Sequence, residues 1–168
     1  ISEGSIVRRK FLDSTISQSH KNYLNNLVTY HRILQQRNAL LKHFSSNNSY
    51  DKNTLSTYNE KLVQFGNPIY KARKTFIKTF HPLFHNRYQF ISRNHEPVSV
   101  SYESKLDNNS FQTLLEESLQ KDLILQHTSV GPHKDDLRFQ INDFPVKKFG
   151  SQGQQKTFLI ALKLAQFD

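Results

Sequence analysis

The sequence contains no cysteine, no methionine and no tryptophan, and only five glycines and five prolines among its 168 residues. Without cysteine, disulfide bonds and thiolate metal sites are excluded, and this absence suits a cytosolic protein. No apolar run approaches the roughly 20 residues that a membrane helix needs, so we expect no membrane partner. Because the chain starts at Ile1 and has no methionine, we interpret it as an internal piece of a longer protein, in which no secretory leader could be seen.

Acidic residues are scarce in the first half of the chain. Residues 1–95 hold fifteen lysines and arginines against four acidic residues, residues 96–130 hold two against six, and residues 131–168 hold six against four. The net charge of +9 therefore comes from the first half. Such a basic surface attracts polyanions, usually DNA or RNA, through counterion release. A solvated helical surface that is merely basic is the alternative, and charge alone does not decide between them.

Two apolar seams predict a pair of helices in the first half. Each seam alternates between three- and four-residue spacing, as the buried stripe of a helix does. The first seam is Leu24, Leu27, His31, Leu34, Asn38 and Leu41, and the second is Leu55, Tyr58, Leu62, Phe65, Ile69, Ala72 and Phe76. The polar segment Ser45–Asp51 separates them, so we expect an antiparallel helical hairpin, a short arm resembling a coiled coil. A kink is expected at Gly66 and Pro68, because proline removes a backbone donor there.

Shorter elements are predicted on both sides of this arm. A helix covers about Gly4–Ser17 ahead of it, and period-two alternation after residue 95 predicts a strand at Pro97–Tyr102. An acidic amphipathic helix follows over Asn108–Leu125, capped by Asn109 or Ser110.

The last quarter of the chain combines a predicted β-hairpin with a helix. Leu137–Ile141 and Phe144–Phe149 form the hairpin, which turns at Asn142 and Asp143. The helix, Thr157–Phe167, is expected to bury Phe158, Leu159, Ala161, Leu162 and Ala165 inside a sheet-containing domain, because it is too apolar to stand alone. We therefore predict an α+β, mainly α, fold, with a basic helical arm region at residues 1–95 and a second region at residues 96–168.

The segment with the clearest chemistry is Phe149-Gly-Ser-Gln-Gly-Gln-Gln-Lys-Thr157, which leads into the apolar helix. A serine beside glycines at a helix start can bind an anion, because the first-turn amides are unpaired and the helix dipole favours negative charge. The alternative is that Ser151 is only an N-cap and Gly150 only a hinge. The segment also approaches the phosphate-loop pattern G-x-x-x-x-G-K-[ST], but Gln155 stands where the second glycine belongs, so we reject a Walker A motif.

Four landmarks in series carry a family resemblance. Ser151-Gln-Gly-Gln-Gln155 resembles the RecF version of the LSGGQ signature of ABC-type ATPases, with Gln152 where the general pattern has glycine. Val130-Gly-Pro-His-Lys-Asp-Asp-Leu137 resembles the G-P-H-[RK]-x-D-L stretch of that family. Gly4–Asp13 resembles its G-S/P-x-x-R-R-x-F-L-D element, and Leu34–Leu41 resembles its L-x-Q-R-N-x-L-L element. In this order they cover nearly the whole chain, which is therefore identified as similar to the RecF family.

The resemblance implies a fold and a nucleotide site. RecF-family proteins resemble the heads of SMC-like ATPases, with Walker A near the N-terminus, then a helical arm, then the signature and Walker B. Residues 96–168 would be part of the ATPase head. Two subunits would dimerise around ATP and Mg²⁺, with Ser151 bonding in trans to the γ-phosphate held by the other subunit, Gly150 and Gly153 giving clearance, and Gln154 orienting the loop. The implied signature set is Gly150, Ser151, Gln152, Gly153, Gln154, Gln155 and Lys156.

The resemblance also implies a biological role. It points to a bacterial cytoplasmic protein of DNA replication, recombination and repair, connected with the SOS response. The ATP-dependent homodimer would bind double-stranded DNA near gaps and help RecO and RecR load RecA. The family is a weak DNA-dependent ATPase. This chain lacks the phosphate-loop lysine and the Walker B aspartate, so we expect it to be inactive alone and to bind no cofactor by itself.

The DNA-contact candidates are basic side chains. They are Lys71, Arg73, Lys74 and Lys78 on the second arm helix, and secondarily Arg8, Arg9 and Lys10. The alternative is that the lysines are simply solvated and that Arg8 and Arg9 brace the arm against the head.

A second group of polar residues forms the family-landmark turn, whose role the sequence leaves open. It consists of Gly131, Pro132, His133, Lys134, Asp135 and Asp136. We predict no metal site there, because a single histidine in a proline-containing turn, with no matching second ligand set, indicates a turn before a strand. No serine–histidine–aspartate arrangement supports hydrolase chemistry elsewhere in the chain.

Two rival interpretations stay open. A non-enzymatic helical module that binds RNA or a protein would explain the charge and the seams, but not the apolar helix after a glycine-bracketed serine. Another SMC-like ATPase head would share the signature and act on a different substrate. The flanking sequence would decide both, through a phosphate loop upstream and an apolar strand ending in Asp-Asp or Asp-Glu downstream.

Overall fold

The fold is mainly helical with one small antiparallel sheet, as the sequence predicts. A computed structural model describes residues 4–47, 49–93 and 96–167. The helices are α1 (Ser5–Ser19), α2 (Lys21–Asn47), α3 (Lys52–Ser92), α4 (Phe111–Glu117), α5 (Leu119–Leu125), α6 (Val146–Phe149) and α7 (Gln152–Leu164). The strands are β1 (Val98–Glu103), β2 (Asp136–Ile141) and β3 (Phe144–Pro145), and two 3₁₀ turns span Lys105–Asp107 and Pro132–Lys134.

The chain forms two compact units, and neither is continuous in sequence. The sheet unit comprises residues up to Ile16, Arg73–Glu103 and residues from Asp136 onwards, and the arm unit comprises Ser17–Ala72 and Ser104–Asp135. The predicted division between residues 95 and 96 follows chain order, whereas these units interleave along the chain.

The arm unit contains the predicted helical hairpin. Helix α2 ends at Asn47 and α3 begins at Lys52, on either side of the predicted polar segment, in which Asn48 lies outside the described residues. Asp51 is the N-cap of α3, because its carboxylate accepts hydrogen bonds from the amides of Asn53 and Thr54 at 3.0 and 3.1 Å. The two helices meet in an apolar cluster formed by Leu41, Phe44 and Leu55.

The predicted seam of α2 is wrong by one position at several points. Leu24 is 42% exposed and His31 is also exposed. The buried residues include four at seven-residue intervals that the sequence interpretation left out, namely Tyr23, Tyr30, Arg37 and Phe44. Leu34 and Leu41 are buried as predicted. Leucine spacing does not reveal these positions, because the long side chains of tyrosine and arginine can also fill a core when their polar ends are paired.

Helix α3 runs without interruption through Gly66 and Pro68, so the expected kink does not break it. Gly66 has a packing role, because a Cβ atom there would lie 2.6 Å from Cε1 of Phe111. No helix within residues 4–47, 49–93 and 96–167 combines the length and the apolar content needed to cross a membrane.

The sheet unit contains a three-stranded antiparallel sheet in the order β1-β2-β3. Its register pairs Val98 with Ile141 and Glu103 with Asp136, so the two predicted strands in these regions are confirmed. The turn at Asn142 and Asp143 has positive φ at both residues (50° and 64°), which matches the twist of a two-residue hairpin.

Two predicted elements after residue 107 differ from the structure in extent. The second hairpin strand ends at Pro145, and residues 146–149 form the single helical turn α6 because Pro145 cannot donate a ladder hydrogen bond. The acidic helix is divided at Ser118 into α4 and α5, with Ser110 as the N-cap of α4.

The last helix starts at Gln152, whereas the predicted start was Thr157. Phe158 is fully buried and its ring lies 4.6 Å from that of Phe84 and 5.5 Å from that of Phe139. Leu159, expected on the buried side, is 43% exposed.

Candidate nucleotide-binding site

Ser151 is the N-cap of α7 and forms a reciprocal capping box with Gln154. Its hydroxyl oxygen accepts a hydrogen bond from the Gln154 amide at 3.2 Å, and Oε1 of Gln154 accepts one from the Ser151 amide at 2.8 Å. Ser151 is therefore an N-cap, as one of the two interpretations of the sequence proposed. It does not exclude anion binding, because a serine hydroxyl that accepts one hydrogen bond still has its own proton to donate.

Two amides at the start of α7 are left without partners. The amides of Gln152 and Gly153 donate to no group within the described part of the chain, as the first amides of a helix usually do. A Cβ atom on Gly153 would meet only Oγ of Ser151, at 3.9 Å, so the space outside this glycine is open. This helix end therefore presents two backbone donors and a hydroxyl to solvent.

Gly150 has a different role from Gly153. A Cβ atom on Gly150 would lie 2.7 Å from the carbonyl oxygen of Val146, so a side chain would clash with α6. Nε2 of Gln155 donates to the Gly150 carbonyl at 2.9 Å and closes the loop between the two helices. Clearance for a ligand thus depends on Gly153, and Gly150 allows the turn from α6 into α7.

The rest of the signature set differs in exposure. Gln152 and Lys156 are exposed, whereas Gln154 and Gln155 are partly buried. Nε2 of Gln154 donates to Oε1 of Glu96 at 2.9 Å. Glu96 lies just before β1 and was not identified from the sequence, because it is 58 residues away in the chain and belongs to no motif.

The family-landmark turn is built into the arm unit as far as Asp135. Gly131 has φ of +116° and a Cβ atom there would lie 2.6 Å from Phe111, so only glycine fits. His133 is held at both ring nitrogens, with Nδ1 2.8 Å from the Tyr30 hydroxyl and Nε2 3.0 Å from the Thr128 carbonyl oxygen. Since a carbonyl only accepts, Nε2 carries the proton and Nδ1 accepts from the tyrosine when the ring is neutral.

The remaining residues of this turn differ in exposure. Pro132 and Asp135 are buried, and Lys134 is exposed. Over residues 4–47, 49–93 and 96–167, no group of three or more histidine, aspartate or glutamate side chains is arranged to hold a metal ion.

A buried ion pair joins the landmark in α2 to the segment that precedes this turn. Nη1 of Arg37 donates to Oδ2 of Asp122 and to Oγ1 of Thr128, each at 2.8 Å, and its Nε donates to Oδ1 of Asn59 at 2.8 Å. Both charged side chains are 0% exposed. The neighbouring Asn38 accepts from the amide and the hydroxyl of Thr128 at 2.8 Å. The L-x-Q-R-N element thus fixes the loop that leads into the turn.

Comparisons with known proteins identify the family of this chain. No protein-family model matches the chain. A protein of Flavobacterium johnsoniae named DNA replication and repair protein RecF is 53% identical over the whole chain, which spans 47% of that protein. A protein of the same name from Phocaeicola vulgatus is 44% identical over the whole chain, which spans 44% of it. This chain belongs to the RecF family. It spans about half the length of the curated relatives it matches.

Solved structures confirm the fold of this RecF-family chain. Two structures of the recombination mediator protein RecF in the RecFOR pathway, described as RecF-ATP and RecF-ATPrS, each superpose with a TM-score of 0.90. They are 31% and 30% identical to the chain, covering 98% of it and 46% of each solved chain. The predicted mainly helical fold of an SMC-like ATPase relative is thereby confirmed.

Two of the basic residues proposed for DNA contact are engaged inside the sheet unit of this RecF-family chain. Arg73 is 2% exposed, and its Nε and Nη2 donate to Oδ1 of Asp13 at 3.0 and 2.7 Å. Nε and Nη2 of Arg8 each donate to a different oxygen of Asp136 at 2.7 Å. Burial alone would raise the pKa of Asp136, but these hydrogen bonds and the guanidinium charge hold it below its usual value.

The guanidinium groups of both arginines are already bound to carboxylates, which favours a structural role for Arg73 and Arg8 over DNA contact. Lys71, Lys74 and Lys78 are exposed on α3, Lys10 is exposed on α1, and Arg9 is partly buried. The charge pattern alone could not distinguish these two helix positions from solvated ones, because their carboxylate partners are distant in sequence.

Proposed function

We propose that this chain supplies the trans-acting half of an ATP site in a RecF-family DNA repair protein that dimerises on ATP. The observation that carries the proposal is the start of α7, where the Ser151 hydroxyl and the unpaired amides of Gln152 and Gly153 lie at one exposed helix end. The RecF-ATP description of a solved relative supports a nucleotide as the anion.

The chemistry at this helix end suits a terminal phosphate. Backbone amides and a hydroxyl are uncharged donors fixed by the helix, and the helix dipole adds positive potential at the same point. Because the open space beside Gly153 needs no rearrangement to admit a phosphate oxygen, the donors are preorganised for it.

This helix end makes dimerisation depend on ATP and performs no catalysis by itself. The chain contains no phosphate-loop lysine and no Walker B aspartate, which would cradle the phosphates and hold Mg²⁺ elsewhere in the complete protein. ATP is bound tightly only when the helix end of one molecule meets the nucleotide held by another. The resulting homodimer binds double-stranded DNA near gaps in the bacterial cytoplasm and works with RecO and RecR to load RecA.

Replacing Ser151 by alanine in the full-length protein should raise the ATP concentration needed for half-maximal dimerisation by about tenfold or more, because a hydrogen bond to a charged phosphate is lost. Analytical ultracentrifugation over a range of ATP concentrations measures this.

Ser110→Ala is the matched control for Ser151→Ala. Ser110 caps α4 in the same way, because its hydroxyl oxygen accepts a hydrogen bond from the Thr113 amide at 3.0 Å, so both variants lose a cap worth about 1 kcal/mol. Only the Ser151 variant should lose ATP response. Equal dimerisation curves for the two variants would contradict the proposal.

For the DNA-binding part of the function, the exposed lysines of α3 are the candidates. Replacing Lys74 and Lys78 by glutamate should weaken binding to a DNA duplex at low salt by about tenfold or more, and should lower the salt dependence of the affinity. Fluorescence anisotropy with a labelled duplex, repeated at several salt concentrations, measures both.

The control for this charge reversal replaces Lys105 and Lys121, two exposed lysines of the arm unit, by glutamate. This variant has the same change in net charge. If both double variants weaken DNA binding equally, the effect is one of net charge and α3 is not the contact surface.

A further inference from the structure

The side-chain amide of Gln154 is anchored at both of its ends. Its oxygen accepts from the Ser151 amide at 2.8 Å, and its nitrogen donates to Oε1 of Glu96 at 2.9 Å. The first contact belongs to the capping box of α7, and the second reaches Glu96, two residues before β1. One amide group therefore connects the helix end that faces the proposed phosphate to a carboxylate on another segment of the sheet unit.

The carboxylate determines which way this amide points. An ionised carboxylate only accepts hydrogen bonds, so it selects the NH₂ end of Gln154. In the opposite orientation the NH₂ group would face the Ser151 amide, and two donors would oppose each other. Glu96 thereby fixes the orientation in which Gln154 completes the capping box.

Glu96 is itself held from the interior. The Tyr88 hydroxyl donates to Oε2 of Glu96 at 3.2 Å, and Tyr88 is 1% exposed. Its ring lies 6.3 Å from that of Phe84 and 6.1 Å from that of Phe158. Burial, and then the charge and hydrogen bond of Glu96, raise the pKa of Tyr88 to about 12, so the hydroxyl keeps its proton at neutral pH.

We propose that Glu96 is a positioning residue for the ATP-facing end of α7, acting through Gln154 and held in place by Tyr88. The inference rests on the proposed function. Both carboxylate oxygens of Glu96 accept hydrogen bonds, so the carboxylate stays in contact with the Gln154 side-chain amide. The Ser151 backbone is thereby held in its capping conformation. The hydroxyl and the two unpaired amides are thus fixed before the nucleotide arrives, which lowers the ordering cost of binding.

The test measures ATP-dependent dimerisation of the full-length protein with variants of Glu96 and Gln154. Glu96→Ala should raise the ATP concentration for half-maximal dimerisation by about tenfold, the range expected for a lost hydrogen bond to a charged group. Glu96→Gln should return it to within about twofold of the original protein, because its carbonyl oxygen still accepts from Gln154.

A double-mutant cycle separates positioning from a general effect on folding. If Glu96 acts through Gln154, the Glu96→Ala/Gln154→Ala double variant should need no more ATP than Gln154→Ala alone, since the two changes break one connection. The proposal would be overturned if the fold-increases in ATP requirement of the two single variants multiplied in the double variant. It would also be overturned if Glu96→Gln were as impaired as Glu96→Ala.

Ser151→Ala, measured in the same series, distinguishes a failure of the proposed nucleotide contact from a failure of the positioning role of Glu96. If that variant responds to ATP normally, the proposed function itself fails. If it is impaired while Glu96→Ala dimerises normally, the nucleotide contact stands and the positioning role of Glu96 is refuted.

Discussion

Replacing Asp122 by alanine is expected to destabilise the folded chain by about 3–5 kcal/mol, because it leaves the Arg37 guanidinium buried without a counter-charge. Asp122 accepts from Arg37 at 2.8 Å, and its other oxygen accepts from the amide and hydroxyl of Ser129 at 2.9 and 2.6 Å. The other acceptors of Arg37, Thr128 and Asn59, are uncharged, and its Nη2 already has no hydrogen-bond partner within the described residues. Urea denaturation followed by circular dichroism gives the free energy of unfolding.

The matched control is the exposed ion pair between Arg138 and Glu103, whose side chains are 54% and 44% exposed. Glu103→Ala removes a carboxylate from an arginine in the same way, but both groups are solvated, so the expected loss is at most about 1 kcal/mol. Similar losses for the two variants would show that burial of Arg37 is not what makes its partner necessary.

Replacing Gly153 by aspartate is expected to leave folding intact and to abolish ATP-dependent dimerisation, with at least a hundredfold loss of ATP response. A carboxylate about 4 Å from a phosphate costs on the order of 4 kcal/mol at an effective dielectric constant of about 20. The fold should tolerate the change, because the space beside Gly153 is open and an acidic residue in the first turn of a helix is favourable. Thermal unfolding and ultracentrifugation with ATP measure the two effects separately.

Gly4→Asp provides the same substitution at a second open helix start. A Cβ atom on Gly4 meets nothing within 4 Å, and its carbonyl oxygen accepts the first hydrogen bond of α1 from the Val7 amide at 3.0 Å. This variant should fold and dimerise normally. If Gly153→Asp dimerises as readily as Gly4→Asp, no phosphate approaches the start of α7.

Helix α2 is predictable from the sequence as a helix, but part of its buried face is not. Leucine spacing correctly predicted a helix with Leu34 and Leu41 in its core, but it missed Tyr23, Tyr30 and Arg37. Tyr30 and Arg37 are buried because their polar groups find partners in distant segments, namely His133 for Tyr30 and Asp122 for Arg37. Local periodicity carries no information about such partners, since they come from residues about 85 to 103 positions away.

The candidate site was predictable to a similar extent. Ser151, Gly153 and Gln154 lie in one continuous motif at a helix start, so the sequence alone indicated them. Glu96 and Tyr88 lie outside any motif, and only the folded sheet unit brings them to Gln154. The basic residues were the least predictable, because Arg73 and Lys74 are neighbours in sequence while the first is buried and the second is exposed.

A structure of the full-length protein with ATP bound between two molecules is the most direct measurement of the nucleotide contact. We predict that Oγ of Ser151 in one molecule lies about 3 Å from a γ-phosphate oxygen of ATP bound by the other, with the Gly153 amide directed at the same phosphate. A dimer in which this serine is separated from every phosphate oxygen by more than about 6 Å, too far even for one bridging water, would contradict it.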